Sequence, residues 1–236
     1  MILKSSAAIL MISLFASAAL GQNQLILDKL KQLDAAHPTL EMSAAKAAIF
    51  DTAKRFADEK GECLPTDVQL EQPVAITGDP AILPALLSGQ IKNAWKVYAQ
   101  YQGCGNRAVD RFSVIDFADG KRIALLVNSG ATNSSMKLMR DTSMLAAMQA
   151  YQAAKSKAPS CDGKDLEMIG AQIVSEADDL GPELYGVRYV GGWTENWRFS
   201  TCGLIFDVPV QFTADGDGGA YTNIKAENVQ QIESAP

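Results

Sequence analysis

The chain has 236 residues, with 21 Lys and Arg against 27 Asp and Glu, a net charge of −6 and 47% hydrophobic residues. This much apolar material excludes an intrinsically disordered protein and fits an ordinary globular one. The acidic balance argues against a nucleic-acid binder, because such a surface repels phosphate.

Residues 1–21 read MILKSSAAILMISLFASAALG. Lys4 is their only charge, a largely apolar run spans Ala7 to Ala16, and Ala19-Leu20-Gly21 offers the small residues of a cleavage site. This is the pattern of a secretory signal peptide. Its apolar run is too short to span a bilayer, which takes about 20 apolar residues. A periplasmic or extracellular location is therefore expected, with no membrane span after cleavage.

Downstream, an amphipathic helix is expected at 24–36, with Ile26, Leu30 and Leu33 inward and Pro38 ending it. A second helix at 43–58 would turn Ile49, Ala53, Phe56 and Ala57 to the core. Strands are expected at 67–77, 94–103, 108–114 and 122–128, with a turn at Asp119-Gly120. Residues 128–135 (NSGATNSS) are polar and read as a loop. A third helix at 136–157 would bury Met144, Ala147, Met148 and Tyr151, with Lys155 and Lys157 favouring its C-terminal dipole and Pro159 stopping it. Strands are expected again at 165–175, 188–201, 206–213 and 220–226. Phe206, Val208, Val210 and Phe212 alternate with polar residues as in a half-buried strand, in which Pro209 predicts an edge or a bulge.

The four cysteines expose a regularity. Cys63 and Cys104 are 41 residues apart, as are Cys161 and Cys202, and the two pairs are offset by 98. Sliding the chain by that offset places Trp95 on Trp193, Gly105 on Gly203, Pro84 on Pro182 and Asp119-Gly120 on Asp217-Gly218 without a gap. Seven of the 43 positions from Cys63 to Gly105 are identical. The expectation is an α+β protein of two tandem repeats. Each would be a helix followed by an antiparallel meander of about four strands. Unit one, with the N-terminal helix, takes 22–128, and unit two takes 129–236. An even cysteine count in an exported chain implies disulfides, and the repeat selects Cys63–Cys104 and Cys161–Cys202, one per unit. Trp95 and Trp193 each stand nine residues before a cysteine, so an unbroken strand would set them on opposite faces. Either the strand bulges or the cysteine lies beyond its end.

The pattern Trp95…Cys104-Gly105 and Trp193…Cys202-Gly203, followed by an alternating strand and a Gly-bearing turn, resembles one found in uncharacterised exported proteins of proteobacteria. The resemblance covers the C-terminal half of each unit. It implies a bacterial envelope location and carries no activity.

Catalytic constellations are incomplete. His37 is the only histidine, stands before Pro38 outside both repeats, and cannot serve a cysteine that is bridged. The same shortage argues against a zinc or copper site. Ser43-Ala-Ala-Lys46 and Ser134-Ser-Met-Lys137 match the Ser-x-x-Lys motif of penicillin-recognising enzymes, and Tyr221-Thr222-Asn223 mimics a second motif, but no Lys-Thr-Gly or Lys-Ser-Gly follows. Helix capping by serine explains both pairs. Asp215-Gly-Asp217-Gly-Gly hints at a calcium loop but lacks the distal Glu, so a hairpin turn is expected. Glu176, Asp178, Asp179 and Glu183 could supply paired carboxylates for glycoside chemistry, or form a solvated acidic loop. Trp193, Trp197 and Phe199 share one strand face. That face is expected to pack on the helix; if open, Trp193 and Trp197 with Arg198 would make a platform for a peptide or glycan. The sequence thus points to an exported, non-catalytic binding or structural protein of the envelope without catalytic residues, metal or cofactor, its partner an envelope protein or a glycan. A small envelope hydrolase using carboxylates or a Ser/Lys pair is the alternative.

Overall fold

The computed structural model describes residues 28–32, 35, 39–104 and 109–232. The expected export signal, His37 and the stretch 105–108 lie outside them. Residues 1–37 form one unit, in which 28–32 are helical, and residues 38–236 form a second. Among the described residues no helix is long and apolar enough to cross a membrane.

The second unit is α+β with antiparallel sheets. Helix α1 (Met42–Lys60) precedes strands β1 (Asp67–Leu70) and β2 (Val74–Ala75), a short helix α2 (Leu83–Leu87), and strands β3 (Ile91–Gln102), β4 (Asp110–Phe117) and β5 (Arg122–Ser129). Helix α3 (Met136–Lys157) follows, then β6 (Glu167–Glu176), the short pair β7 (Glu183–Leu184) and β8 (Val187–Arg188), and β9 (Gly192–Thr201), β10 (Leu204–Ala214), β11 (Ala220–Ile224) and β12 (Gln230–Ile232). The first sheet has the order β1-β3-β4-β5, with β2 also on β3. The second has the order β6-β9-β10-β11, with β12 also on β10.

Helix α1 ends at Gly61, whose φ of 65° is open to glycine without penalty, and the N–H of Glu62 returns to the carbonyl of Ala57. Its buried face is Ala45, Ile49, Thr52, Ala53 and Ala57, packed with Trp95, Val97, Phe112 and Val114 of the first sheet. Phe56, expected on that face, is only half-buried. Helix α3 begins at Ser135, whose Oγ accepts from the N–H of Leu138 at 3.2 Å. Its buried face differs from the expected one. Met144 is 70% and Met148 48% exposed, while Leu138, Met139, Thr142, Ala146, Ala150 and Ala154 face the sheet. The cause lies in the sheet, which already presents Trp193, Trp197, Phe199, Phe206 and Phe212. Space so filled with aromatic rings accepts the alanines of the helix from Ala146 onward and turns Met144 and Met148 outward, while Leu138 and Met139 pack inward at its first turn.

The strand carrying Pro209 also departs from expectation. β10 is neither an edge nor bulged, for it pairs with β9 without a register shift. On its other side β12 pairs with Ile205–Asp207 and β11 with Val210–Ala214. Pro209 falls in the gap between them, where no ladder bond needs a donor. The cysteine parity resolves as well. β3 stops at Gln102 and β9 at Thr201, so Cys104 and Cys202 lie beyond the strand ends, in turns through Gly103 and Gly203. Both disulfides, Cys63–Cys104 and Cys161–Cys202, span Cα–Cα distances of 5.7 Å.

The two sheets meet where β5 runs into residues 128–135, the connector to α3. Gly130 has φ of 85°, and a Cβ placed on it would lie 2.0 Å from the carbonyl oxygen of Ala171 in β6. A side chain there would be strained by its own backbone and would push β6 away. Gly130→Ala is expected to cost about 2 kcal/mol, readable as a lower denaturant midpoint at unchanged slope.

Candidate functional site

The connector from Asn128 to Ser135, expected as a loop, carries its polar side chains largely inside the molecule. Thr132, Asn133, Ser134 and Ser135 are all buried. Polar backbone cannot be buried without partners, and here the partner is Glu195. This residue sits in β9 between Trp193 and Trp197 and is fully buried. Its Oε1 accepts from the N–H of Asn133 at 2.8 Å, from the N–H and Oγ of Ser134, each at 3.1 Å, and from the indole of Trp193 at 2.9 Å. Its Oε2 accepts from Thr132 Oγ1 at 2.8 Å and from the indole of Trp197 at 2.7 Å. Every neighbour is a donor, so one side chain satisfies both indoles and the connector. The signal for this was in Trp193-x-Glu195-x-Trp197, since strand alternation places the Glu on the same face as the two Trp.

Beside the connector, the face of the first sheet turned away from α1 carries polar residues. Arg111 Nη1 donates to the carbonyl of Ser134 at 2.7 Å. Asp79 accepts from the N–H groups of Ala81 at 2.9 Å, Met136 at 2.6 Å and Lys137 at 3.3 Å, and so tethers the first turn of α3 to the loop before α2. Burial holds the Asp79 carboxyl above its ordinary range, against the pull of these backbone donors and of Arg111. An acid so raised adds stability that is full below its unfolded value, about 3.9, and is lost as pH rises through the higher folded value. Asp79→Asn should flatten that part of the stability-versus-pH curve, checked by thermal unfolding across mildly acidic pH.

Lys96 Nζ meets Glu183 Oε1 at 2.6 Å and Oε2 at 2.5 Å, and burial pulls the amine below its ordinary range despite this partner. With Glu71, Tyr98, Asn133 and Ile173, the pair lines a cleft of about 300 Å³. A second cleft, of about 270 Å³, lies on the other side of Gly130 and Ala131, on the face of the second sheet turned away from α3. It includes Gln172, Asn196, Arg198 and Asp207. Arg198 donates through Nε and Nη2 to the two oxygens of Asp207 at 2.7 and 2.9 Å. That hydrogen bonding raises the guanidinium above its ordinary range.

The residues singled out from sequence are distributed as follows. Trp193 and Trp197 are core residues, and of the proposed platform only Arg198 reaches the surface. Ser134 is bound to Glu195, while Lys137 pairs with Asp141 in the next helical turn. Ser43 donates to Glu41, and Lys46 pairs with Asp67 at 2.8 Å. Neither serine therefore faces its lysine. The acidic group disperses too: Glu183 pairs with Lys96, Glu176 accepts from Asn133 Nδ2 at 2.6 Å, and Asp178 and Asp179 lie exposed. Asp215 Oδ1 accepts from the N–H groups of Asp217 at 2.9 Å and Gly219 at 3.0 Å, so it closes a turn. Among the described residues no three His, Cys, Asp or Glu side chains group as a metal site. The chain matches no family model, no curated protein and no solved structure.

Proposed function

We propose that this chain is an exported, non-catalytic binding or structural protein of the bacterial envelope, built from two copies of one helix-plus-sheet unit. The observation that carries the duplication is strand register. Trp95 of β3 pairs with Val114 of β4, and Trp193 of β9 pairs with Phe212 of β10. Both partners stand 19 residues after their Trp, so the 98-residue offset of the cysteines also relates the two central hairpins. The neighbour order β1-β3-β4-β5 answers to β6-β9-β10-β11, with a helix and a disulfide for each. The N-terminal export pattern and two disulfides, typical of oxidising compartments, support the envelope location. The non-catalytic reading rests on the commitment of Ser134, Lys137, Glu183 and Asp215 to internal partners.

The reading is tested by expressing the full chain in a Gram-negative bacterium and releasing the periplasm by osmotic shock. The expected product is shortened at its N-terminus and has no free thiols. Retention in the cytoplasm with reduced cysteines would overturn the location. Turnover of a chromogenic glycoside or ester that Glu183→Gln or Ser134→Ala abolishes would favour the envelope hydrolase.

A further inference from the structure

The geometry points to the cleft beside Gly130 as a binding site for a neutral carbohydrate, an assignment that rests on the proposed binding role. The cleft is built by strand register. Gln172 of β6 stands opposite Asn196 of β9, so two amides lie side by side. Neither amide has a hydrogen-bond partner among the described residues, and each offers both a donor and an acceptor. Next along the register, Gly170 stands opposite Arg198, and Arg198 opposite Asp207. With no side chain at Gly170, the planar Arg198–Asp207 pair is left open to the cleft. The pair uses Nε and Nη2, which leaves Nη1 to donate, and its charges cancel.

The ligand must therefore present adjacent donors and acceptors without net charge, as the neighbouring hydroxyls of a sugar do. Its C–H face also has a partner. Ile169 is the extra residue of a β-bulge between Met168 and Gly170, which aims it out of the sheet and leaves it 37% exposed on the cleft wall. A volume of about 270 Å³ matches the smallest ligand sites. Two other ligands fit poorly. An anion would find the guanidinium already neutralised by Asp207. An extended peptide would need the outer edge of β6, where Gly130 of the connector already lies against the Ala171 carbonyl.

The test is isothermal titration of the oxidised protein with chitotetraose, cellotetraose and maltotetraose, with polygalacturonate as the anionic control. One or more of the tetrasaccharides should bind with a micromolar to millimolar dissociation constant. Asn196→Ala should weaken binding about tenfold, the scale of a lost hydrogen bond. Gly170→Val should weaken it at least as much by filling the cleft. A Cβ at Gly170 meets only the carbonyl of Ser129 at 3.5 Å, an ordinary contact, so this variant should fold, and an unchanged thermal transition checks that. No binding to any tetrasaccharide at millimolar concentration, affinity untouched by both variants, or tighter binding of polygalacturonate would each overturn the assignment. Those results would leave the export reading standing. Shortened sugars found by mass spectrometry, and lost in Asn196→Ala, would uphold the site and overturn the non-catalytic reading instead.

Discussion

Glu195→Ala is expected to destabilise the protein by about 3–5 kcal/mol, the scale for removing one partner from a buried charged network. In a chain of this size that lowers the unfolding midpoint by roughly 10 °C. The reason is the one-sidedness of the site, where six donors converge on two oxygens and water has no access. Truncation leaves two indole N–H groups, the Asn133 N–H and two hydroxyls without their acceptor, while the Ser134 N–H keeps Thr132 Oγ1 at 2.9 Å; each lost partner carries the desolvation cost of an unmade bond. Glu195→Gln separates charge from shape. The amide fills the same space but turns an NH2 toward an indole N–H that can only donate, whichever oxygen it replaces, so it should recover only part of the loss. A Glu195→Gln protein as stable as the parent would show that volume, not the carboxylate, holds the connector.

Removing either disulfide should cost about 4 kcal/mol, the chain-entropy value for a loop of this size. The two differ in accessibility. Cys63 is exposed and Cys104 half-buried, whereas Cys161 is buried in the core of the second sheet at 4% exposure. Mild reductant followed by alkylation and peptide mapping should therefore label Cys63 and Cys104 first. The pair Cys161→Ala and Cys202→Ala should be the more damaging replacement, because it also removes packing around α3. Equal labelling of all four thiols at the lowest reductant concentration would contradict this.

Much of the architecture was legible in the residues, because short-range physics decides it. Ser135 and Pro159 bracket α3, Gly61 ends α1, and alternation from Phe206 to Phe212 marks β10. Cysteine spacing indicated the pairing. What escaped was decided by the other side of a contact. Met144 and Met148 have the periodicity of a core face, but only the crowd of aromatic rings in the second sheet determines that Ala146 and Ala150 turn inward instead. The connector is polar enough to be a surface loop, and no local rule says that a glutamate sixty residues later will supply its acceptors. The cleft beside Gly130 was half visible, for Arg198 was singled out with Trp193 and Trp197. The neighbours that matter to it, Gln172 and Asn196, are joined only by register.

The burial of residues 132–135 bears on how the molecule could have arisen and how it can be divided. A unit ending at β5 would expose Lys96 and Arg111 to solvent, and one starting at α3 would hold Glu195 over an empty socket. Neither piece is self-sufficient as it stands. If the halves descend from one ancestor, they have since become mutual templates, and severing the chain between them should yield two insoluble fragments rather than two small proteins.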